Sequence, residues 1–385
     1  MSVFHEQPHR WATVASTVAV SIALLALTSC SAKPPRVAAP SDTCSSGAQV
    51  HGAFADHPVD SGSAPIQVPT TSWVEIAKSQ GDTVLAAGRS VGWDSAGAET
   101  PATLVRINGA TGKVIARVDL SASAVKVRTP AEPTAVPAQP AWDGIAEMVV
   151  GPSTLYVLWQ RQIDGVGQDQ TLVAVDSCNL KIVATQALPP GNRPQQPNEM
   201  TYDRTTNSLW VLAVDPANPQ QPTVASYNGT TLAPLAAVDV SASSNLGCLA
   251  SAGGSIWFSE TTLQRIDPAA GTSSEIPSLA GESNSCVLSD GTHLFLSTGR
   301  QFLELDRGTG AVTGRQALLA VSQVGQAHGQ TWAVGEGQAG GGAVTPVISG
   351  APLGTPVTTS YQILSASTTP DNVWLVDFAG NLFVL

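Results

Sequence analysis

Short runs of alternating apolar and polar residues recur along the chain from about residue 65 to its C-terminal end. In six of these runs an aromatic residue is the centre of an apolar triplet, and successive centres lie 37 to 54 residues apart. Alternation with a period of two predicts β-strands with one buried face, and its recurrence predicts a repeated structural unit. The six centres are Tyr156, Trp210, Trp257, Phe295, Trp332 and Trp374.

Further strands are predicted around each aromatic run. Residues 104–112, 263–271 and 302–310 alternate apolar side chains and then place Gly four residues after an Asp or Asn, which predicts a strand and a tight hairpin. Another run follows the hairpin, as at 114–120. Upstream strands are predicted at 147–150, 200–202, 248–250, 286–288 and 325–327. Four antiparallel strands in about 40–50 residues make one blade of a β-propeller.

The units predict an all-β fold, a seven-bladed β-propeller of four-stranded antiparallel blades. The last unit ends at its third strand, and we expect residues 66–68 to supply the missing fourth strand, so that an N-terminal strand closes the ring. Six or eight blades remain alternatives, because the first and sixth units are weakly patterned. The predicted blades are 72–123, 141–191, 197–241, 245–281, 283–320, 321–360 and 361–385.

The Leu-x-Arg-Ile-Asp-x-x-x-Gly pattern of 263–271, with the upstream aromatic triplet, resembles the broad class of propellers with YVTN, NHL, streptogramin-lyase-like and quinoprotein-type repeats. The resemblance covers about residues 65–385 and implies blade packing, whereas functions differ among these families. Neither His293 nor His328 lies in the acidic motif of the lyases. No Trp follows the Thr-Gly turns at 111–112 and 309–310, as it does in quinoprotein repeats.

The N-terminal 30 residues have the pattern of an export signal. A polar start ending at Arg10 precedes an apolar run at 12–27, which is shorter than the roughly 20 residues of a membrane-spanning helix. Leu27-Thr28-Ser29-Cys30 resembles the bacterial lipobox. We therefore predict a signal peptide at 1–29, palmitate on Cys30, a flexible tether at 30–64 and the propeller at 65–385. The alternatives are an ordinary signal peptide and an uncleaved anchor.

Charge narrows the range of partners. The formal net charge is −11, and the 18 Lys and Arg residues are scattered singly along the sequence. Nucleic acids are excluded as partners, since phosphate contacts need clustered cations. No polybasic segment binds anionic lipid, so attachment to the membrane must come from lipid on Cys30. The predicted location is the bacterial cell envelope, on the outer face of the plasma membrane.

Four cysteines remain once Cys30 is assigned to lipid, and an even number in an exported protein favours disulfides. Cys248 and Cys286 have equivalent places in successive units, so we expect them to pair. Cys44 would then pair with Cys178, and buried free thiols are the alternative. No cysteine or histidine has zinc-site spacing.

Polar residues near the starts of the inner strands are the candidates for a ligand site in the central funnel. A ring of oxygen ligands there would suit Ca²⁺, and solvated rim charges are the alternative. No motif indicates a cofactor or a catalytic residue. Trp210, Trp257, Trp332 and Trp374 are expected in the core, whereas Trp93 and Trp159 either pack near the rim or contact a ligand. The funnel candidates are Glu75, Asp143, Glu147, Glu199, Asn245 and Asn284.

These features favour a membrane-tethered, non-enzymatic propeller that binds a protein or a cell-envelope ligand on one face of its ring. The alternative is a metal-assisted lyase or hydrolase that uses funnel carboxylates and His293. A third reading is a structural element of an exported assembly.

Overall fold

The structure is a computed structural model, and the residues that it describes all lie in one of the two compact units of the chain, 40–385. The predicted signal peptide, Cys30, the tether and the closing strand at 66–68 lie outside the described residues. Described are residues 73–80, 83–89, 102–108, 113–121, 142–163, 167–189, 199–215, 218–241, 247–279, 286–299, 301–316, 320–327, 329–336, 341–347, 354–359, 362–369, 372–377 and 381–384.

The described chain forms seven antiparallel sheets, each built from strands that are consecutive in sequence. The first three sheets are β1 Trp73–Gln80, β2 Thr83–Arg89, β3 Ala102–Asn108 and β4 Val114–Leu120; β5 Trp142–Val150, β6 Thr154–Ile163, β7 Gly167–Asp176 and β8 Ile182–Ala187; and β9 Met200–Asp203, β10 Ser208–Asp215, β11 Asn218–Asn228 and β12 Pro234–Asp239. The fourth and fifth are β13 Cys248–Ala252, β14 Ser255–Ser259, β15 Leu263–Asp267 and β16 Thr272–Glu275; and β17 Cys286–Ser289, β18 Leu294–Ser297, β19 Phe302–Leu305 and β20 Val312–Gln316. The last two are β21 Val321–Ala327, β22 Gln330–Glu336, β23 Gly342–Val347 and β24 Val357–Thr358; and β25 Ile363–Thr369, β26 Asn372–Asp377 and β27 Leu382–Val384.

These sheets are the blades of a seven-bladed propeller, as predicted, and the alternatives of six and eight blades are wrong. The innermost strands contact one another in the order β1, β5, β9, β13, β17, β21 and β25, and β25 contacts β1 again. The ring therefore closes through its innermost strands. Within the described residues the only helical segment is a 3₁₀ turn at Pro277–Leu279.

The hydrophobic core lies between the blades. Seven clusters of buried side chains fill the seven interfaces between neighbouring sheets. Trp210, Trp257 and Trp374 are buried in these clusters as predicted, and Trp332 packs against one while keeping part of its surface exposed. Of the two alternatives for Trp159, the structure shows packing. Its side chain is fully buried, and its indole N–H donates to the carbonyl of Leu120 in blade one at 2.9 Å. Each interface is thus an apolar seam made by alternating strand residues.

The predicted Asp/Asn-x-x-x-Gly hairpins are held by side-chain capping. In blade five the Asp306 carboxylate accepts hydrogen bonds from the backbone N–H groups of Gly308 at 3.0 Å and Thr309 at 2.8 Å. Gly310 then adopts a φ of 72°, and a Cβ there would lie 3.0 Å from the ring of Trp257. Glycine is needed at this position both for the left-handed backbone and for the close approach of the neighbouring blade.

The two rims of the ring differ in their connections. Turns from the first to the second strand and from the third to the fourth strand lie on one rim, which we call the hairpin rim. The opposite rim, which we call the connection rim, carries the turns from the second to the third strand and the segments between blades. Every fourth strand therefore runs from the hairpin rim to the connection rim.

Candidate functional site

A central cavity of about 290 Å³ lies among the innermost strands of all seven blades. Aliphatic residues such as Met148, Val149 and Leu249 form much of its wall. Polar atoms nevertheless provide more of the accessible wall than apolar atoms, so this cavity, which we call the channel, has a wall of mixed polarity. The seven strands contribute, among others, Lys78, Glu147, Thr201, Ser251, Ser289, Gln323 and Ala366.

Lys78 and Glu147 are the two charged residues that line this cavity within the described part of the chain. Glu147 is 3% exposed and Lys78 is partly buried. Burial in the channel lowers the pKa of Lys78, and the negative charge of Glu147 opposes part of that lowering. The two charges thus compensate one another in the channel wall.

Four residues occupy equivalent places at the innermost edges of neighbouring blades, and only Glu147 of them lines the channel. Glu147, Glu199, Cys248 and Cys286 each lie opposite the residue two places after the central aromatic of their own blade. Glu199 is fully buried. Because equivalent positions on neighbouring innermost strands lie close together, the Cα atoms of Cys248 and Cys286 are 5.1 Å apart and the two residues form the predicted disulfide. This bond ties blade four to blade five.

The other funnel candidates are placed as follows. Glu75 lies in β1 and Asp143 in β5, but the structure does not describe their side chains. Asn245 and Asn284 lie outside the described residues. Glu147 was expected near the start of its strand, but β5 begins at Trp142 and places Glu147 towards the opposite end. Across the described ranges, no three His, Cys, Asp or Glu residues are grouped so that they could hold a metal ion.

His293 belongs to a network between blades five and six instead of the channel lining. Its Nδ1 lies 3.0 Å from a carboxylate oxygen of Asp290, and the hydroxyl of Thr331 in blade six donates to the same oxygen at 2.6 Å. Burial tends to raise the pKa of Asp290, but hydrogen bonds from Thr331, His293 and the backbone N–H of Thr292 outweigh it and lower that pKa. The network is a structural tie across a blade interface.

Cys178 is also disulfide-bonded, and Cys44, its predicted partner, lies outside the described residues. Cys178 sits in the turn between the third and fourth strands of blade two. Its carbonyl accepts a hydrogen bond from the Arg106 guanidinium of blade one at 2.7 Å. The turn that contains Cys178 is therefore held by a disulfide bond and by a charge-assisted hydrogen bond from Arg106.

The two rims carry different charge. Among the solvent-accessible side chains that the structure describes, the connection rim has an excess of acids: Asp119, Asp239, Glu260, Glu275 and Glu336 against Arg117 and Arg315. The hairpin rim has Lys113, Lys181, Arg204 and Arg307 against Asp176, Asp267 and Asp306. The three hairpin-rim acids cap their own turns through hydrogen bonds from backbone N–H groups. The side chains that the structure describes thus carry more negative charge on the connection rim than on the hairpin rim.

No helix among the described residues combines the length and the apolar character needed to cross a bilayer.

Comparison with known proteins supports the fold. No known protein family matches the sequence, and no curated protein is similar to it. A chain in a solved structure described as "Crystal Structure of Mitotic Checkpoint Complex" is similar with a TM-score of 0.55 and 12% identity over 87% of this chain and 96% of that chain. BamB from Moraxella catarrhalis is similar with a TM-score of 0.45 and 12% identity over 81% of this chain and 84% of that chain. At 12% identity, the similarity to the chain of the checkpoint complex shows the fold alone.

Proposed function

We propose that this protein is an exported, lipid-anchored propeller that binds a cationic protein surface of the cell envelope on its connection rim and catalyses no reaction. The observation that carries the proposal is the uneven charge of the two rims. Among the described side chains, the acidic ones with access to solvent are concentrated on the connection rim, where the segments between blades also lie.

The ring suits binding because it is a rigid support for many loops. Apolar seams fill all seven blade interfaces, and the disulfide between Cys248 and Cys286 crosses one of them. Loops held on a rigid scaffold can form a large binding surface at a low entropic cost. The segments between blades differ in length and sequence, so the connection rim offers a varied surface to a partner.

The charge of this rim favours a basic partner. Asp239, Glu275 and Glu336 end strands of three different blades and are exposed. Their combined field attracts a positively charged protein surface and speeds association in a salt-dependent way. An anionic partner would be repelled by the same field.

The anchor is supported by the sequence around Cys30. An apolar run of export-signal length followed by Leu-Thr-Ser-Cys predicts cleavage before Cys30 and acylation of this residue. The variant Cys30→Ala should move the protein from the membrane to the soluble fraction. Continued membrane association of this variant would show that residues 12–27 act as an uncleaved anchor.

The binding site can be tested by matched removal of charge. Glu275→Gln with Glu336→Gln neutralises two connection-rim acids, and Asp267→Asn with Asp306→Asn makes the same charge change on the hairpin rim. Asn is suited to the control because Asn228 caps the equivalent turn of blade three through its side-chain oxygen.

The measurement is quantitative crosslinking of the full-length protein to neighbouring envelope proteins, at low and at physiological salt. The first pair should reduce the dominant adduct at least fivefold, and the control pair should leave it unchanged. Equal adduct yields from both pairs would reject the connection rim as the binding surface.

A further inference from the structure

Three blades carry an exposed aliphatic side chain at the same structural position. Ile115, Val183 and Leu235, which we call the aliphatic arc, are 49%, 53% and 57% exposed. They lie in the outermost strands of blades one, two and three, next to the hairpin rim. Single exposed aliphatic residues are ordinary on protein surfaces, but their recurrence at one position of three consecutive blades requires an explanation.

Each residue of the arc is the extra residue of a β-bulge. In blade one, Arg106 pairs with Ala116 and Ile107 pairs with Val114, so that Ile115 has no partner residue opposite it. The same register shift leaves out Val183 in blade two and Leu235 in blade three.

Blade five has the same bulge, but its extra residue is the polar Thr313. Bulges re-aim side chains and twist the free edge of a strand away from other edges. Because Thr313 makes the same bulge, the geometry does not require an aliphatic residue, and the character of the arc must have another cause.

Cations accompany the arc. Lys113 lies two residues before Ile115, Lys181 lies two residues before Val183, and all four belong to the turns and strand starts of the hairpin rim. Both lysines are exposed, and Arg204 is exposed on the first turn of blade three. Aliphatic side chains beside Lys and Arg are the combination found at the interface between lipid headgroups and acyl chains.

The predicted closing strand would bring the predicted anchor to the same rim. The fourth strands of the six blades in which the structure describes one begin at the hairpin rim. Residues 66–68 would therefore be entered from that rim if they complete blade seven, as the sequence predicts. The 35 residues 30–64 span roughly 30–35 Å as a flexible chain. A tether of this length holds the ring at a high effective concentration near the bilayer, so that weak contacts suffice to orient it.

We infer that the hairpin rim of blades one to three faces the lipid bilayer and dips the aliphatic arc into its interface, while the acidic connection rim points away from the membrane. The inference rests on the proposed lipid anchor. It deepens that proposal by assigning the orientation of the ring and the surface that touches lipid. The arc is an orienting contact and does not replace the acyl chains as the source of attachment.

Photocrosslinking of the lipidated full-length protein tests the orientation. The protein is placed on vesicles of phosphatidylcholine with one quarter phosphatidylglycerol. Val183→benzoylphenylalanine probes the arc, and Ala187→benzoylphenylalanine is the matched control, because both residues are exposed in β8 but lie at opposite ends of this strand. A second pair in β12 uses the same probe at Leu235 and at Asp239, in case one variant folds poorly.

The arc positions should give at least five times as much phospholipid adduct as their controls, as measured by mass spectrometry. Equal yields, or more adduct at Ala187 and Asp239, on protein that still floats with the vesicles would overturn the orientation and leave the anchor intact. A lipidated chain that does not float with the vesicles would overturn both the anchor and the orientation.

Discussion

Trp257 donates a hydrogen bond from its indole nitrogen to the carbonyl oxygen of Ala252 at 3.3 Å. Ala252 is the last residue of β13, so the ring of Trp257 ties the second strand of blade four to the end of the first. Trp332 makes the same contact with Ala327 in blade six at 3.1 Å. A buried indole N–H needs an acceptor, and this carbonyl provides it without a polar side chain in the core.

Trp257→Ala should lower the free energy of unfolding by about 3–5 kcal/mol, the usual cost of removing a large aromatic from a core. The side chain is fully buried between blades four and five. Trp257→Phe keeps most of the apolar contact but leaves the Ala252 carbonyl without its donor. The loss of this hydrogen bond alone should lower the free energy of unfolding of Trp257→Phe by about 1–2 kcal/mol relative to wild type. Urea unfolding measured by far-UV circular dichroism gives both values.

Trp332→Ala serves as the comparison, because Trp332 has the same hydrogen bond but is only partly buried. Its cost should be smaller than that of Trp257→Ala. A cost below about 1 kcal/mol for Trp257→Ala would contradict the role of this ring in the blade interface.

The fold was predictable because short sequence patterns specify the strands and hairpins of each blade. The alternation around Tyr156 and the turn at Asp306 each report a strand or hairpin within a few residues, and the structure has them where they were expected. Even the pairing of Cys248 with Cys286 followed from their equivalent places in two units.

The chemistry of the channel was less predictable. Glu147 and Glu199 were grouped as funnel residues, yet Glu199 is completely buried and Glu147 faces the charge of Lys78 from another blade. Depth within the ring depends on strand length and on bulges, such as the register shift between Ile145 and Glu147, and the sequence pattern does not reveal these. The aliphatic arc was not predictable from the alternation, because Ile115 and Val183 occupy ordinary exposed positions of their strands and only the shared bulge marks them as equivalent.

Removing the disulfide between blades four and five should destabilise the protein. The bond joins residues separated by 38 positions, and loop-closure entropy for that length corresponds to about 4 kcal/mol. Cys248→Ser combined with Cys286→Ser should lower the urea midpoint accordingly.

The double variant is preferable to a reducing agent, because reduction would also break the bond of Cys178. Each single serine variant leaves one free thiol and should be no more stable than the double variant. An unchanged midpoint in the double variant would mean that packing alone fixes these two blades.

Asp290 should make the stability of the protein sensitive to acid. Its pKa is lowered below the ordinary value of 3.8 in the folded protein. A carboxylate with a lowered pKa contributes stability above its unfolded pKa, and that stability is lost as the pH falls through the folded value. Asp290→Asn should therefore cost about 1–3 kcal/mol at pH 7, as expected for lost hydrogen bonds to a charged group.

The difference between wild type and Asp290→Asn should shrink when unfolding is repeated at pH values below about 4. Asp239→Asn is the control, since it makes the same change at an exposed position at the end of β12. A difference that stays constant from pH 7 to pH 3 would show that the charge of Asp290 is not what stabilises the contact with Thr331.

Lys78 and Glu147 should be coupled in the channel. Breaking a partly buried charge pair from one side leaves the other charge without compensation, so Glu147→Gln should cost about 1–3 kcal/mol at pH 7. The pKa of Lys78 is already lowered by burial and falls further once the carboxylate is removed. As the pH rises, the amine of Lys78 loses its proton in the folded protein. The missing carboxylate then matters less, and the stability deficit of Glu147→Gln should shrink.

The coupling is measured by unfolding at pH 7 and at pH 9.5. Lys78→Met and the double variant complete the mutant cycle. Glu275→Gln, on the exposed connection rim, controls for the loss of charge. Additive effects of the two substitutions at pH 7 would show that the charges do not interact.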